Sequence, residues 1–292
     1  MKSNYKKGLV SIIISAFCFA AIGTLGVLLF NGGAGPLTLL AGRFAIASLM
    51  LFLTLLVWDK KLFIVKREDI KWFLLSGLIL FVHLLSFWYG FNIVRSVSIQ
   101  YALFFLYPIW TAILSSVFQK DKISKVIPLC LLIGVIGILL TLGIIPNGVS
   151  FVPLAGVVFG VLTSILWSLY YFSNQYLVNK YNSFTVLFYN FLFVFLLCLF
   201  VQPIYITISQ ITFQTIWYLL ALGFISTFMS YLFLHFALRF NGSVLSSIQN
   251  MVLPFLGSLL AFLVLKQTMT IYQILGGGLI IFNIYLLNRW SK

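Results

Sequence analysis

The sequence predicts an all-α integral membrane protein: ten transmembrane helices arranged as a 5+5 inverted repeat. Three observations carry this. Of 292 residues, 62% are apolar and only 8% are charged, against roughly 25% charged in a soluble domain. The eighteen Lys and Arg and the four acids sit in short gaps between long apolar runs. Finally, two stretches 146 residues apart carry matched glycines and prolines. A soluble fold of this length has no core large enough for thirty-one Phe. A nucleic-acid binder would gather a net charge of +14 on one face of a water-soluble module. Soluble enzymes, disordered chains and nucleic-acid binders are therefore excluded.

A helix needs about 20 apolar residues to cross the hydrocarbon. Ten runs meet that need: 8–30, 36–58, 71–92, 97–118, 126–145, 153–177, 183–202, 215–238, 243–265 and 271–288. The breaks carry turn chemistry or charge, as in Asn31-Gly32-Gly33, Asp59-Lys60-Lys61, Lys120-Asp121-Lys122, Pro146-Asn147-Gly148 and Asn241-Gly242. Strands of a membrane barrel would alternate over about ten residues, whereas these runs are apolar all round. The first run lacks a small-residue cleavage site and is expected to be a span, not a cleaved signal.

Charge sets the expected orientation. With both ends cytoplasmic, the inner side holds Lys2, Lys6, Lys7, Lys60, Lys61, Lys66, Arg67, Lys71, Lys120, Lys122, Lys125, Lys180, Arg239, Arg289 and Lys292. The outer side holds only Arg95 and Lys266, and Arg43 lies within a span. This is a strong positive-inside bias. The expected location is the cell membrane, multi-pass, with both termini cytoplasmic and the basic loops on anionic lipid. Cys18, Cys130 and Cys198 fall in separate spans and read as small buried residues.

Laying 71–124 over 217–270 pairs Gly77 with Gly223, Phe87 with Phe233, Pro108 with Pro254 and Lys120 with Lys266. Both prolines fall mid-span. Five spans per unit is odd, so the second copy (149–292) must enter from the side opposite to the first (1–148). Inverted repeats commonly build transporters, with the binding site at mid-membrane between the halves.

Several passages resemble the EamA-type transporters of the drug/metabolite transporter superfamily. They are Ala41-Gly42-Arg43-Phe44, Tyr107-Pro108 with Gly134 and Gly137, Asn250 to Pro254 with Gly276-Gly277-Gly278, and Ile165-Leu166-Trp167-Ser168-Leu169-Tyr170. One departure is Lys120-Asp121, where family members often carry Glu. The resemblance implies a ten-helix bundle with a central cavity lined by spans 1, 3, 4, 6, 8 and 9, leaving span 2 outside it. It also implies alternating access of metabolites or amino acids, often outward.

Polar groups at membrane depth face a cavity or another helix. No carboxylate lies in any span, because Asp59, Glu68, Asp69 and Asp121 all fall in loops. No catalytic residue, metal site or cofactor is therefore expected, since a hydrolase would need an acid pair, a metal set or an activated nucleophile. His83, mid-span, is read either as a substrate ligand that titrates near neutrality or as a neutral helix-bonded imidazole. His235, near a span end, reads as interfacial. Arg43 lies seven residues into its span, about 10 Å deep. It either snorkels to the headgroups, bonds carbonyls, or grips a substrate carboxylate with its planar fork. Trp167, Tyr170 and Asn174 share one helical stripe, with Tyr101 and Phe105 set against them, suited to stacking or to holding an amine by cation–π attraction.

Ser226, Thr227, Ser230, Ser246, Ser247, Gln249 and Asn250 are read as substrate contacts or helix–helix bonds. Asn250 stands four residues before Pro254, where a freed carbonyl needs a partner. Pro108 and Pro254 read as gating kinks, and the glycine groups 134–137 and 276–278 as close helix contacts.

The expected function is transport of small polar or amphipathic metabolites (amino acids, amines or related compounds) across the cytoplasmic membrane, with export as the expected direction. The residues expected to line the site are Trp167, Tyr170, Asn174, His83, Tyr101, Asn250 and Ser230. A passive channel or a lipid-translocating protein of the same architecture is the alternative. Expected partners are a small-molecule substrate and membrane lipids, with no nucleic acid; a homodimer stays open.

Overall fold

The computed structural model describes residues 2–119, 124–148, 152–202 and 204–290. Lys120, Asp121, Lys122 and Lys292 of the charge reading lie outside them. Among the described residues there is no strand. The helices are α1 (Lys2–Asn31), α2 (Pro36–Trp58), α3 (Ile70–Val94), α4 (Val97–Phe104), α5 (Tyr107–Leu114), α6 (Val126–Thr141) and α7 (Ile144–Asn147). They continue with α8 (Leu154–Lys180), α9 (Ser183–Val201), α10 (Ile204–Ser209), α11 (Phe213–Gly223), α12 (Ser230–Gln249), α13 (Leu253–Leu265) and α14 (Ile271–Trp290).

Local chemistry explains the boundaries. Pro36 opens α2 in the first turn, where its missing N–H goes unneeded. Asn182 caps α9 by accepting from the Phe184 N–H, and Thr212 and Thr215 form a reciprocal cap at the start of α11. Among the described residues, eight helical stretches are long and apolar enough to cross a membrane. One of them, Phe213–Leu265, runs for 53 residues, but Gly242 interrupts it with φ 76° and ψ 175°. Only glycine takes that conformation without strain. The helix α6 is short, at 16 residues, because Gly143 turns left-handed (φ 71°) and ends the run before the expected residue 145.

The expected kinks at the two prolines are helix breaks. In the run 97–118, α4 stops at Phe104, two turn residues follow, and α5 restarts with Pro108 in its first turn. In the run 243–265, a 3₁₀ turn at Asn250–Val252 precedes α13, with Pro254 again in the first turn. A proline inside a continuous helix would remove one bond and clash with the carbonyl four residues back. Restarting the helix avoids both penalties. The carbonyl of Asn250 is satisfied by the Leu253 N–H, not by its own side chain.

In lipid, helix association relies on close packing and buried hydrogen bonds, because the tails are as apolar as the core. Glycines mark the closest approaches. A methyl at Gly8 would sit 2.2 Å from Asn241 on α12, and one at Gly42 2.9 Å from Leu219 on α11. The pair α6 and α14 meets at Gly134, Gly137 and Gly276: a methyl at Gly276 would lie 2.6 Å from the Gly137 carbonyl oxygen. Cys18, Cys130 and Cys198 are buried and free.

Candidate functional site

Helix α2 is drawn against α11 by Gly42 and Gly223, where added methyls would meet Leu219 and Ile46. That contact sets Arg43, the next residue, among the helices instead of at the lipid surface. Arg43 is 3% exposed. It lines a cavity of about 120 Å³ together with Phe19 on α1, His83 on α3, Tyr101 on α4, Trp167 on α8, Tyr231 on α12 and Asn250. The expectation that the second span stays outside the lining is therefore corrected: α2 supplies the cavity's one permanently charged side chain among the described residues. The guanidinium makes no hydrogen bond or ion pair among the described residues, and its Nε is buried without a partner. Its carbon lies 4.9 Å from the centroid of the Phe44 ring.

The His83 Nδ1 lies 3.0 Å from the Thr163 carbonyl oxygen. A carbonyl only accepts, so Nδ1 carries the proton and Nε2 keeps its lone pair. The imidazole sits 4.7 Å from Trp167, ring to ring, and 5.6 Å from Phe104. Trp167 in turn stacks on Tyr170 at 5.2 Å with an interplanar angle of 14°. Asn250 Nδ2 donates to the Tyr171 hydroxyl at 3.1 Å, which leaves its Oδ1 buried and unpaired. The result is an aromatic chamber that holds one cation and two unoccupied acceptors, His83 Nε2 and Asn250 Oδ1.

Of the seven expected lining residues, the structure brings four together: Trp167, His83, Tyr101 and Asn250. Three do not line this cavity. Tyr170 is fully buried behind Trp167, its hydroxyl 3.4 Å from His235 Nε2. Asn174 spends its amide on helix packing: Nδ2 donates to Ser76 Oγ at 2.8 Å and to the Tyr170 carbonyl, and Oδ1 accepts from Asn190. Ser230 donates to the Ser226 carbonyl at 2.7 Å, one turn back in the π-helical stretch Phe224–Met229 that leads into α12. His235 is wholly buried, not interfacial. Phe105 stacks on Tyr101 but faces a separate apolar groove. The expected lining leaves out Tyr231 and leaves Arg43 open between a structural role and a substrate ligand; the usable signal for Arg43 is a guanidinium at depth in a sequence whose acids all fall outside the apolar runs.

Phe19, Tyr101 and Leu253 line both this chamber and a wider neighbouring vestibule of about 410 Å³. Its rim carries Thr24, Ser98, Gln267, Thr268 and Gln273, of which Gln267 and Thr268 are exposed. This is the end of the bundle where α1 finishes and α13 ends. At the opposite end, side-chain hydrogen bonds tie the helices together. There the Tyr107 hydroxyl donates to the Ser247 carbonyl at 3.2 Å, and Gln249 bridges Tyr5 and Asn241. The Gln175 side chain accepts from the Ser243 N–H at 2.7 Å. Further out, Asp69 accepts from Lys180 at 2.8 Å and from the Tyr181 hydroxyl at 2.5 Å. That clamp ties the start of α3 to the end of α8.

Among curated proteins, none matches this sequence. A crystal structure of a protein superposes with a TM-score of 0.79 at 15% identity, over 100% of this chain and 99% of that one. A likeness at this identity speaks for the fold alone. The EamA-like transporter family matches twice, over residues 6–143 and 154–289, so that two family repeats account for nearly all of the sequence. With apolar helices throughout and two family repeats spanning nearly all of the sequence, the chain belongs to the EamA-like transporter family, a family of membrane transporters within the drug/metabolite transporter superfamily.

Proposed function

We propose that this protein carries small amphipathic metabolites across the cytoplasmic membrane by alternating access, with export as the working direction. The observation that carries the reading is a chamber with wall residues from both family repeats, sharing Phe19, Tyr101 and Leu253 with a wider vestibule at one end, while hydrogen bonds tie the helices at the other. One-sided access is what a carrier needs and what a passive pore lacks.

In this reading the chain spans the membrane ten times. The Gly242 break divides 213–265 into two spans, and α6 with its short continuation α7 serves as another. The units 1–148 and 149–292 are inverted copies, and their junction falls in the gap between the two family matches. Both termini are cytoplasmic, on the tied side, so the vestibule faces outward. Substrate rests against Trp167, His83, Tyr101 and Asn250, with Tyr170 holding Trp167 in place. The helix restarts at Pro108 and Pro254 act as pivots, since a broken backbone ladder bends with few bonds to lose.

Counterflow in proteoliposomes tests this. Saturable exchange is expected, and Trp167→Ala and Asn250→Ala are each expected to cut it about tenfold or more while the protein still reaches the membrane, a loss comparable to that of one well-packed binding contact. Non-saturating flux, or full exchange by both variants, rejects the site. A proton dependence, where present, is expected to run through His83. His83→Gln keeps a donor for Thr163 but cannot titrate, so it is expected to flatten the response to an imposed pH gradient. A response of wild-type size in that variant rejects the role.

A further inference from the structure

A second hollow, of about 270 Å³, lies between α3 and α9, apart from the chamber. Ile70, Phe73 and Leu74 on α3 and Leu192, Phe193 and Leu196 on α9 form its walls, each set keeping to one helical stripe. Ile70, Leu74 and Leu196 are exposed, so the groove opens to the outside of the bundle. One turn beyond Leu74 the helices shut it, since a methyl at Gly77 would lie 2.8 Å from the Phe193 ring. At the other end Val65 closes it, from the loop that joins α2 to α3.

That loop is held in place. The Leu62 and Phe63 carbonyls accept from the Thr185 and Tyr189 hydroxyls, both at 2.7 Å, and the Lys66 N–H donates to the Tyr181 hydroxyl at 3.2 Å. Lys66 and Arg67 directly follow Val65, and Lys71 directly follows Ile70, so three exposed cations stand at one end of an apolar groove. Lys66 has Glu68 at 3.9 Å, whereas Arg67 and Lys71 make no ion pair among the described residues. The nearby charge of Asp69 is taken up by Lys180 and Tyr181. Trp72 and Tyr176 are exposed here with their rings 5.8 Å apart, and membrane–water interfaces favour such residues. The cations therefore stand at headgroup depth.

We infer that this groove holds one acyl chain of an anionic phospholipid whose phosphate sits between Arg67 and Lys71. The two are four residues apart in the helical run Arg67–Val94. Like charges at that spacing repel, and a shared phosphate turns the repulsion into attraction. Lipid tails are as apolar as the groove walls, so entering it gains little by itself. The groove fixes where the chain lies, and the cations select the headgroup. The site is separate from the chamber and requires neither transport nor a particular direction of it.

Native mass spectrometry of the purified protein tests this, with phosphatidylglycerol, phosphatidylcholine and glycerophosphate as probes. One phosphatidylglycerol is expected to bind saturably, while the neutral lipid and the chainless phosphate bind at least tenfold more weakly. Arg67→Gln and Lys71→Gln are expected to weaken phosphatidylglycerol about fivefold each and about 25-fold together, the effect of basic residues near an anionic surface. Both side chains are exposed and unpaired, so the lipid-free melting midpoint should not move. Leu74→Trp and Leu196→Trp, on opposite walls, fill the groove and are each expected to weaken binding with every cation kept. The turn at Lys60–Phe63 leans on α2, Phe63 to Phe52 at 5.7 Å, and none of its residues lines the groove. Lys60→Gln with Lys61→Gln is therefore the control, expected to change binding less than twofold. Equal loss in that control, or full binding in both Trp variants, would reduce the effect to diffuse surface charge and overturn the site. Equal binding of phosphatidylcholine or of glycerophosphate, or a dimer that takes up no lipid, overturns it as well. Saturable counterflow in the Arg67→Gln and Lys71→Gln double variant would leave the carrier reading untouched by any of these results.

Discussion

Gly276→Leu is expected to break the packing of α6 on α14 and to lower the apparent unfolding midpoint by roughly 5–10 °C, the equivalent of about 3 kcal/mol in a chain of this size. The obstacle is backbone. A Cβ at 276 would lie 2.6 Å from the Gly137 carbonyl oxygen and 2.7 Å from the Thr141 nitrogen, and neither can rotate aside as a side-chain tip would. The disturbance is expected to reach the chamber as well. Gly134, on the same face of α6, faces the Met251 sulfur, and Met251 follows Asn250. The matched control is Gly278→Ala, since a methyl at 278 meets nothing within 4 Å. Size-exclusion profiles after heating should separate the two variants, and equal melting would refute the packing account.

Asp69→Asn is expected to loosen the tied end. Asp69 is 2% exposed and joins α3 to α8 through Lys180 and Tyr181. The lysine side chain is 33% exposed, so water takes up part of its charge when the partner is neutral and the net loss is modest. If the clamp favours the conformation seen here, that loss raises the population open at this end about tenfold. A Ser247→Cys reporter should then react correspondingly faster with a membrane-impermeant maleimide when Asp69→Asn is added. Cys18, Cys130 and Cys198 are buried and give little background. Unchanged labelling would confine the clamp to stability.

The apolar runs were legible because the hydrocarbon demands them, and the resemblance in Ala41-Gly42-Arg43-Phe44 and in the glycine groups led to the right family. The chamber was legible only in part. Trp167 and Asn174 share a stripe of α8, yet one faces the cavity and the other is locked between Ser76 and Asn190. Arg43 was assigned away from the cavity by the resemblance, and the close approach at Gly42 and Gly223 reversed that. His235 was placed near a surface from its distance to the span end, while the structure buries it against Tyr170.

The sequence by itself determined that the chain is a membrane protein of two related halves, because length of apolar run, placement of charge and recurrence of proline are one-dimensional properties. Which residues face the chamber was decided by tertiary structure alone. In water, the polar face of a helix points outward and the pattern reveals it. In lipid that contrast vanishes: Phe200 and Phe213 are 86% and 84% exposed while Phe44 is fully buried, and nothing in residue type distinguishes them. The inward face becomes known only when the helices have met.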